Sequence, residues 1–428
     1  MKKISKKIIT IYNPEIIAVT GSVGKTSAKE AIFAVLSNEN NPAVVDRKKW
    51  RVRRTKGNLN NELGLPLTII GDWRESGLHL VSRSQPAGTR RMAKLFFWIR
   101  VVLSGFFRII FPRRGTYPQI LVLEYGADRP GDLKYLLNIA KPKIGVVTAI
   151  GETPVHVEFY DGPEDVAREK GKLIESLPAG GYAVLNFDDD FVMGMKERTR
   201  ANVMTFGFGD GADVKISNFE NKSMDGRPEG IFFKIEYQGN FIPVNIKNVF
   251  GRAQAYNVAI AFAVGIIYGL NLVEIGELIE RYYFPIKGRM NLLEGIKETW
   301  IIDDSYNASP LSVKEALATV KELQAKRKIV VLGDMLELGK YSIEAHENVG
   351  KLAGDSADKL ITVGSRAKFI AESAIKNGMN KAGVFICDSK EEAIEKLREI
   401  LQKGDLVLIK ASRGIGLDKM VDEIKKMA

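Results

Sequence analysis

The stretch that most restricts the fold of this chain lies close to its amino terminus. Residues 15–20, Glu-Ile-Ile-Ala-Val-Thr, form a short apolar run of the kind that builds a buried parallel strand. The glycine loop Thr20-Gly-Ser-Val-Gly-Lys-Thr-Ser27 follows at once. Ser27 to Ser37 then reads as a helix, with Ile32, Val35 and Leu36 at helical spacing from Ala28 and Ala31. Strand, glycine loop and helix in that order open a nucleotide-binding α/β unit. Glycines let backbone N–H groups close on phosphate oxygens, and the helix N-terminus adds the positive end of its dipole. Lys25 is placed to neutralise the β- and γ-phosphates, and Thr26 offers a hydroxyl to Mg²⁺. Val19 stands where the strict eight-residue pattern has its first glycine. The competing explanation is a Gly-Ser turn before a capped helix, and the flanking elements disfavour it.

Apolar runs recur at Ile120–Leu123 and Ile144–Thr148, with a helical stretch from Pro163 to Leu177. Between Val203 and Pro243 the residues alternate, as in Ile231-Phe-Phe-Lys-Ile-Glu-Tyr237, which predicts an antiparallel hairpin appended to the sheet. Ala255 to Tyr268 is an apolar helix, and Pro285-Ile-Lys-Gly288 has the content of a linker. After Thr299 the alternation restarts. Trp300–Ile302 is the first strand, and Ile329–Leu332, Lys359–Val363, Val384–Ile386 and Leu406–Ile409 follow, separated by helices such as Ser312–Leu323 and Lys390–Leu401. The expected fold class is therefore α/β. A phosphate-loop central domain with a parallel sheet and the hairpin spans 1–285, and a Rossmann-like carboxy-terminal domain spans 286–428. A chain of 428 residues is too long for one ordinary core, in keeping with this division.

Composition narrows the chemistry. With 45% apolar and 27% charged residues, wholesale disorder is excluded. One cysteine, Cys387, excludes an internal disulfide framework and a thiolate metal cluster, and suits a reducing cytoplasm. Three histidines, His79, His156 and His346, argue against a multi-histidine zinc site. The net charge of +11 predicts affinity for anions. No recognised nucleic-acid-binding motif accompanies it. Met1 to Thr10 is basic without a long apolar stretch, so no secretory signal is expected.

Three further residues bear on a metal. Glu124 ends the strand Ile120–Leu123, where ligand-facing residues of an open α/β sheet gather. His156 and Lys170 follow beyond the next strand. Glu124 and His156 are candidates to complete the metal shell that Thr26 begins. Taken alone, a strand-end carboxylate, a surface histidine and a solvated helix lysine explain them as well.

In combination with these motifs the sequence resembles the Mur ligase family, and within it the MurF branch. The matching stretches are Thr20–Ser27, Asn58-Leu-Asn-Asn-Glu-Leu-Gly-Leu-Pro66, Glu124-Tyr-Gly126, Ile150-Gly151 with His156, and Ala167-Arg-Glu-Lys-Gly171. Tyr256-Asn257, Lys287-Gly-Arg289, Asp303-Asp-Ser-Tyr-Asn-Ala308, Leu332-Gly-Asp-Met-Leu-Glu-Leu-Gly339 and Ser412-Arg-Gly414 continue the series in order. The resemblance implies an ATP-dependent acid–amino-acid ligase of cell-wall precursor assembly. ATP phosphorylates a substrate carboxylate, an amine attacks the acyl phosphate, and an amide forms. It implies that Gly21, Ser22, Val23, Gly24, Lys25, Thr26 and Ser27 hold the phosphates, and that Thr26 and Glu124 hold one Mg²⁺. It makes His156 a ligand of a second metal and Lys170 a carbamoylated lysine, whose CO₂ adduct would be an anionic oxygen ligand where an ammonium would repel the metal. Asn257 becomes an adenine contact, Arg289 an interdomain arginine reaching the γ-phosphate, and Asp304 a ribose contact. The implied partners are a nucleotide-linked peptide and an amino acid or dipeptide, with D-alanyl-D-alanine added to a muramoyl peptide.

Two departures from the family pattern bear on the substrate. About fifteen residues precede the first strand, too few for the family's amino-terminal uridine-nucleotide-binding domain. Ala253-Gln254 stands where the family commonly has His-Asn. A third feature has no counterpart in the motifs: residues 90–114 are strongly apolar and aromatic, with Arg100, Ser104 and Arg108 at spacing four. Two internal arginines argue against a spanning helix. Two readings remain, a basic helix at the membrane interface, placing a cytoplasmic enzyme at the inner membrane face, and a helical insertion docked on the protein itself. The rival functions are a folylpolyglutamate-synthase-like ligase with another acceptor and a membrane-associated ATP switch.

Overall fold

Two sheets organise the chain in a computed structural model that describes residues 1–37, 50–57, 59–81, 91–154, 156–224 and 226–426. The first is built from β1 (Glu15–Thr20), β2 (Val52–Arg54), β3 (Ile120–Glu124), β4 (Ile144–Val147), β5 (Tyr182–Asn186), β6 (Asn202–Gly207), β7 (Val214–Met224), β8 (Arg227–Tyr237) and β9 (Asn240–Lys247). Their order is β2-β3-β1-β4-β5-β6-β7-β8-β9. From β2 to β7 each neighbour is parallel. β1 lies between β3 and β4, so the connections leave it in opposite directions, and a crevice opens beyond the carboxyl ends of these three strands.

The second sheet contains β10 (Asn291–Gly295), β11 (Thr299–Asp303), β12 (Arg327–Gly333), β13 (Lys359–Val363), β14 (Val384–Cys387) and β15 (Asp405–Lys410), in the order β10-β11-β15-β12-β13-β14. All pairs are parallel except the edge strand β10. The predicted strands and helices appear within one to three residues of their expected ends, although the first helix begins at Lys25 rather than Ser27.

The departures have local causes. The expected hairpin is a three-stranded antiparallel meander, β7-β8-β9, and Val203 belongs to the parallel strand β6. Gln238 and Gly239 form its second turn, with φ of 48° and 77°, the positive pair that a two-residue hairpin needs. The register shift between Ser217 and Glu220 breaks the alternation that would have revealed β7. β10 precedes the strand at Trp300, and a helix, Lys2–Tyr12, fills the basic start of the chain.

Each face of the first sheet is covered. On one, the helices Lys25–Leu36 and Arg252–Ile267 pack together over Ile17, Val19, Val122 and Val146. The second of these helices is apolar around its circumference and is correspondingly buried. On the other face lie the helices Lys2–Tyr12, Gly64–Ile70, Arg91–Ile110, Asp132–Leu137 and Pro163–Glu175. No helix among the described residues is long and apolar enough to cross a membrane.

Candidate active site

The glycine loop turns at the carboxyl end of β1 and is tied to β4. Ser22 and Val23 donate backbone N–H groups to Ala149 O, and Thr148 Oγ1 donates to Thr20 O at 3.2 Å. Gly21 (φ 141°) has no room for a side chain: a Cβ there would lie 2.0 Å from Thr148 Oγ1. Gly24 (φ 87°) caps the helix, and a Cβ there would lie 3.4 Å from Asn257 Oδ1. Lys25 folds back over the loop and donates from Nζ to Gly21 O at 2.8 Å. Burial lowers its pKa, the negative charges of Glu124 and Asp128 oppose that, and Arg289 adds to the lowering. No carboxylate among the described residues forms an ion pair with this ammonium, although Glu124 and Asp128 are near enough to act on it. Thr26 and Ser27 are buried at the base of the loop, and Ser22 Oγ is buried without a partner.

Glu124, at the end of β3, is 1% exposed. Asn60 Nδ2 donates to its Oε1 at 3.0 Å, and Lys29 Nζ lies 3.5 Å from its Oε2. Lys29 is fully buried, donates to Gly57 O at 2.9 Å, and also pairs with Glu30. One helical turn beyond Lys25, it returns from the phosphate-loop helix to hold the strand-end carboxylate. Removing a buried charge leaves its partner uncompensated, so Lys29→Met should lower the unfolding free energy by about 3 kcal/mol. Urea denaturation followed by circular dichroism checks this; an unchanged midpoint would mean that the pair contributes nothing.

His156 reaches across to the second sheet. Its Nε2 lies 3.3 Å from Asp128 Oδ1, and its Nδ1 lies 2.9 Å from Glu337 Oε2, without hydrogen-bond alignment at Nδ1. Both His156 and Glu337 adopt left-handed backbone, φ 70° and 65°, which costs about 1 kcal/mol or more for a side-chain-bearing residue and clusters at functional sites. Asp189 Oδ2 fixes the preceding segment by accepting from Ile150 N and Gly151 N.

Lys170, on the helix Pro163–Glu175, is 1% exposed and, among the described residues, donates only to Ala127 O, at 3.4 Å. Burial pushes its pKa down to about 7, with Lys25 adding to the effect and Asp128 and Glu169 opposing it. No hydrogen bond or ion pair among the described residues joins His156 directly to Glu124 or Lys170. Asp128 is the shared neighbour, touching His156 and coupled electrostatically to both Lys25 and Lys170.

Arg289 comes from the linker, and its guanidinium lies 4.4 Å from the centre of the Tyr306 ring. Its Nε is buried without a partner, and its charge is felt at Lys25, Asp304 and Lys410. Gln254, at the place where the sequence departs from the family pattern, is a junction. Its Nε2 donates to Arg289 O at 3.0 Å, and its Oε1 accepts from Tyr283 Oη at 2.8 Å and from Asn257 Nδ2 at 3.5 Å. Asn257 thus stands between this junction and Gly24. Asp304 is held by Lys410, whose Nζ donates to its Oδ2 at 2.6 Å and to Asn307 O at 2.9 Å. Burial raises the Asp304 carboxyl and lowers the Lys410 ammonium, and each partner's charge resists the other's shift.

The donor set suits a triphosphate: a glycine cradle, a half-buried ammonium, a free hydroxyl at Ser22 and an unpartnered guanidinium nitrogen at Arg289. For magnesium the fit is in the Thr26 hydroxyl and the Glu124 carboxylate, since no three His, Cys, Asp or Glu side chains among the described residues gather into a ready-made centre. Asn60, Asp128 and Glu337 lie in or beside stretches that the sequence marks as motifs without standing out individually, whereas Gln254 stands out only as a departure from the family pattern. Lys29 had a usable signal, because its spacing of four from Lys25 puts both on one side of the helix.

Comparison with known proteins follows this geometry. The Mur ligase middle domain matches residues 113–265, and the Mur ligase glutamate ligase domain matches residues 288–413. The UDP-N-acetylmuramoyl-tripeptide–D-alanyl-D-alanine ligase of Bacillus subtilis is 28% identical over 429 residues, covering 99% of this chain and 79% of that protein. The crystal structure of the MurF ligase from Thermotoga maritima in complex with ADP superposes with a TM-score of 0.75 at 25% identity, covering 98% of this chain and 82% of that one. Folylpolyglutamate synthase from Mycobacterium tuberculosis, at 15% identity and a TM-score of 0.64, shares the fold.

Proposed function

Because this chain belongs to the Mur ligase family, we propose that it is an ATP-dependent ligase that joins D-alanyl-D-alanine to the peptide carboxylate of UDP-N-acetylmuramoyl tripeptide. The observation that carries the reading is the convergence of the glycine loop, Lys25, Glu124 and Arg289 at the crevice between the two sheets. There Lys25 and the loop N–H groups hold the triphosphate, Ser22 and Arg289 add donors, and Asn257 contacts the nucleotide beside Gly24. Thr26 and Glu124 would hold magnesium, which would supply positive charge to the phosphate oxygens. His156 and a carbamate on Lys170 serve a second ion, with Asp128 beside both, and Asp304 contacts the ribose. Catalysis of this kind comes mainly from positioning and charge neutralisation. Transfer of the terminal phosphoryl group of ATP to the substrate carboxylate makes an acyl phosphate and leaves ADP, and the dipeptide amine then attacks the acyl carbon, loses a proton and displaces inorganic phosphate to leave an amide.

A panel of UDP-muramoyl peptides and dipeptides scored by phosphate release tests this. Release should require both UDP-N-acetylmuramoyl tripeptide and D-alanyl-D-alanine, and should be negligible with a folate and glutamate. Phosphate release that ignores the presence of either substrate would overturn the reading in favour of an ATP switch.

A further inference from the structure

The helix Arg91–Ile110 is amphipathic the wrong way round. The side that faces the protein is narrow: Phe97, Val101 and Gly105 are buried, and a Cβ at Gly105 would lie 2.5 Å from Ile4 Cγ2 of the helix Lys2–Tyr12. Ser104 and Arg108 are half-buried along its flank, with Arg108 O accepting from Tyr12 Oη at 3.0 Å. Most of the large apolar side chains point away. Phe96, Ile99, Leu103, Phe106, Phe107 and Ile110 recur at intervals of three, four and one, the repeat of a single helical face, and Phe96, Leu103 and Ile110 are each more than 60% exposed. Phe111 continues the face beyond the helix, its ring 5.1 Å from that of Phe107. A contiguous apolar surface on the order of several hundred Å² is uncommon on a monomer and marks an interaction site.

The surrounding charges select the occupant. Residues 91–114 carry six Arg or Lys and no Asp or Glu, and residues 1–14 carry four lysines and no acid. Lys3, Lys6, Lys7, Arg100, Arg113 and Arg114 are exposed. A second copy docked face to face would set these like charges against one another, which opposes self-association. A layer of anionic headgroups complements them, while the apolar side chains enter the acyl boundary and Arg100 extends its guanidinium back to the headgroups. The arginines, and the inner side already committed to Val101 and Gly105, keep the helix from spanning. We propose that Arg91–Ile110, with the basic helix Lys2–Tyr12 beside it, is an interfacial docking surface for an anionic lipid bilayer. This goes beyond the ligase reading and does not depend on it.

Vesicle flotation of the full chain tests the proposal. Vesicles of phosphatidylcholine with phosphatidylglycerol should carry the protein, and pure phosphatidylcholine should carry far less. Phe96→Gln/Leu103→Gln/Phe107→Gln should weaken partitioning by about tenfold or more with the melting curve unchanged, because the three side chains are exposed. Arg113→Gln/Arg114→Gln should reduce the preference for anionic vesicles. Failure of the full chain to float on anionic vesicles, or equal flotation of the triple variant, overturns the proposal. So does a concentration-dependent dimer, seen by sedimentation without flotation and lost in the triple variant, which would make the face a contact between copies.

Discussion

Replacing Lys170 by alanine should lower the rate of ligation by about a thousandfold, with part of the loss restored by a short carboxylic acid added to the assay. The expectation rests on a side chain that is 1% exposed yet, among the described residues, makes only one long hydrogen bond, to Ala127 O. Burial and Lys25 hold its pKa near 7, so a large share of the amine is neutral at neutral pH, the form that combines with CO₂. Full activity in Lys170→Ala, or loss without any rescue, would remove the carbamate from the mechanism. The same residue predicts a stability effect of known sign. Between about pH 7 and pH 10 the unfolded chain binds a proton at Lys170 that the folded chain does not, so in CO₂-free buffer stability falls as the pH drops through that window, by up to about 1.4 kcal/mol per unit. Lys170→Met should abolish that slope while remaining folded and inactive.

The second large effect is at Lys25. Lys25→Ala should cut ligation by about a thousandfold and weaken ATP binding, because the ammonium folded over the glycine loop is lost. Lys25→Arg should rescue little, since Nζ donates as a point charge to the Gly21 and Ser22 carbonyls, an arrangement that a longer, planar guanidinium does not reproduce. Rates of phosphate release with both substrates saturating, alongside equilibrium nucleotide binding, would check both variants. An arginine variant close to native activity would show that charge alone suffices.

Much of the architecture was legible because buried parallel strands are runs of apolar residues, and β1, β3, β4, β12 and β15 are runs of that kind. The glycine loop was legible because backbone conformation restricts the residue type: Gly21 and Gly24 both have positive φ, and at Gly21 a side chain would also collide with Thr148. The meander was only half visible, since Asn218 in left-handed conformation and the shift beside it interrupt the alternation of β7. The helix Lys2–Tyr12 hid behind its lysines, its buried side being little more than Ser5 and Ile8. Asp128 and Glu337 sit in irregular loops, where no periodicity distinguishes a residue that faces the cleft from one that faces solvent. The orientation of Arg91–Ile110 was likewise open, because a pattern of apolar and basic residues does not say which side the protein covers.

Gln254 has a mechanical consequence. One amide grips the backbone of the linker at Arg289 while also holding Tyr283 and Asn257, which backs Gly24. The linker at Arg289 and the backing of the glycine loop at Gly24 are therefore joined through one side chain, and losing that amide would loosen both together.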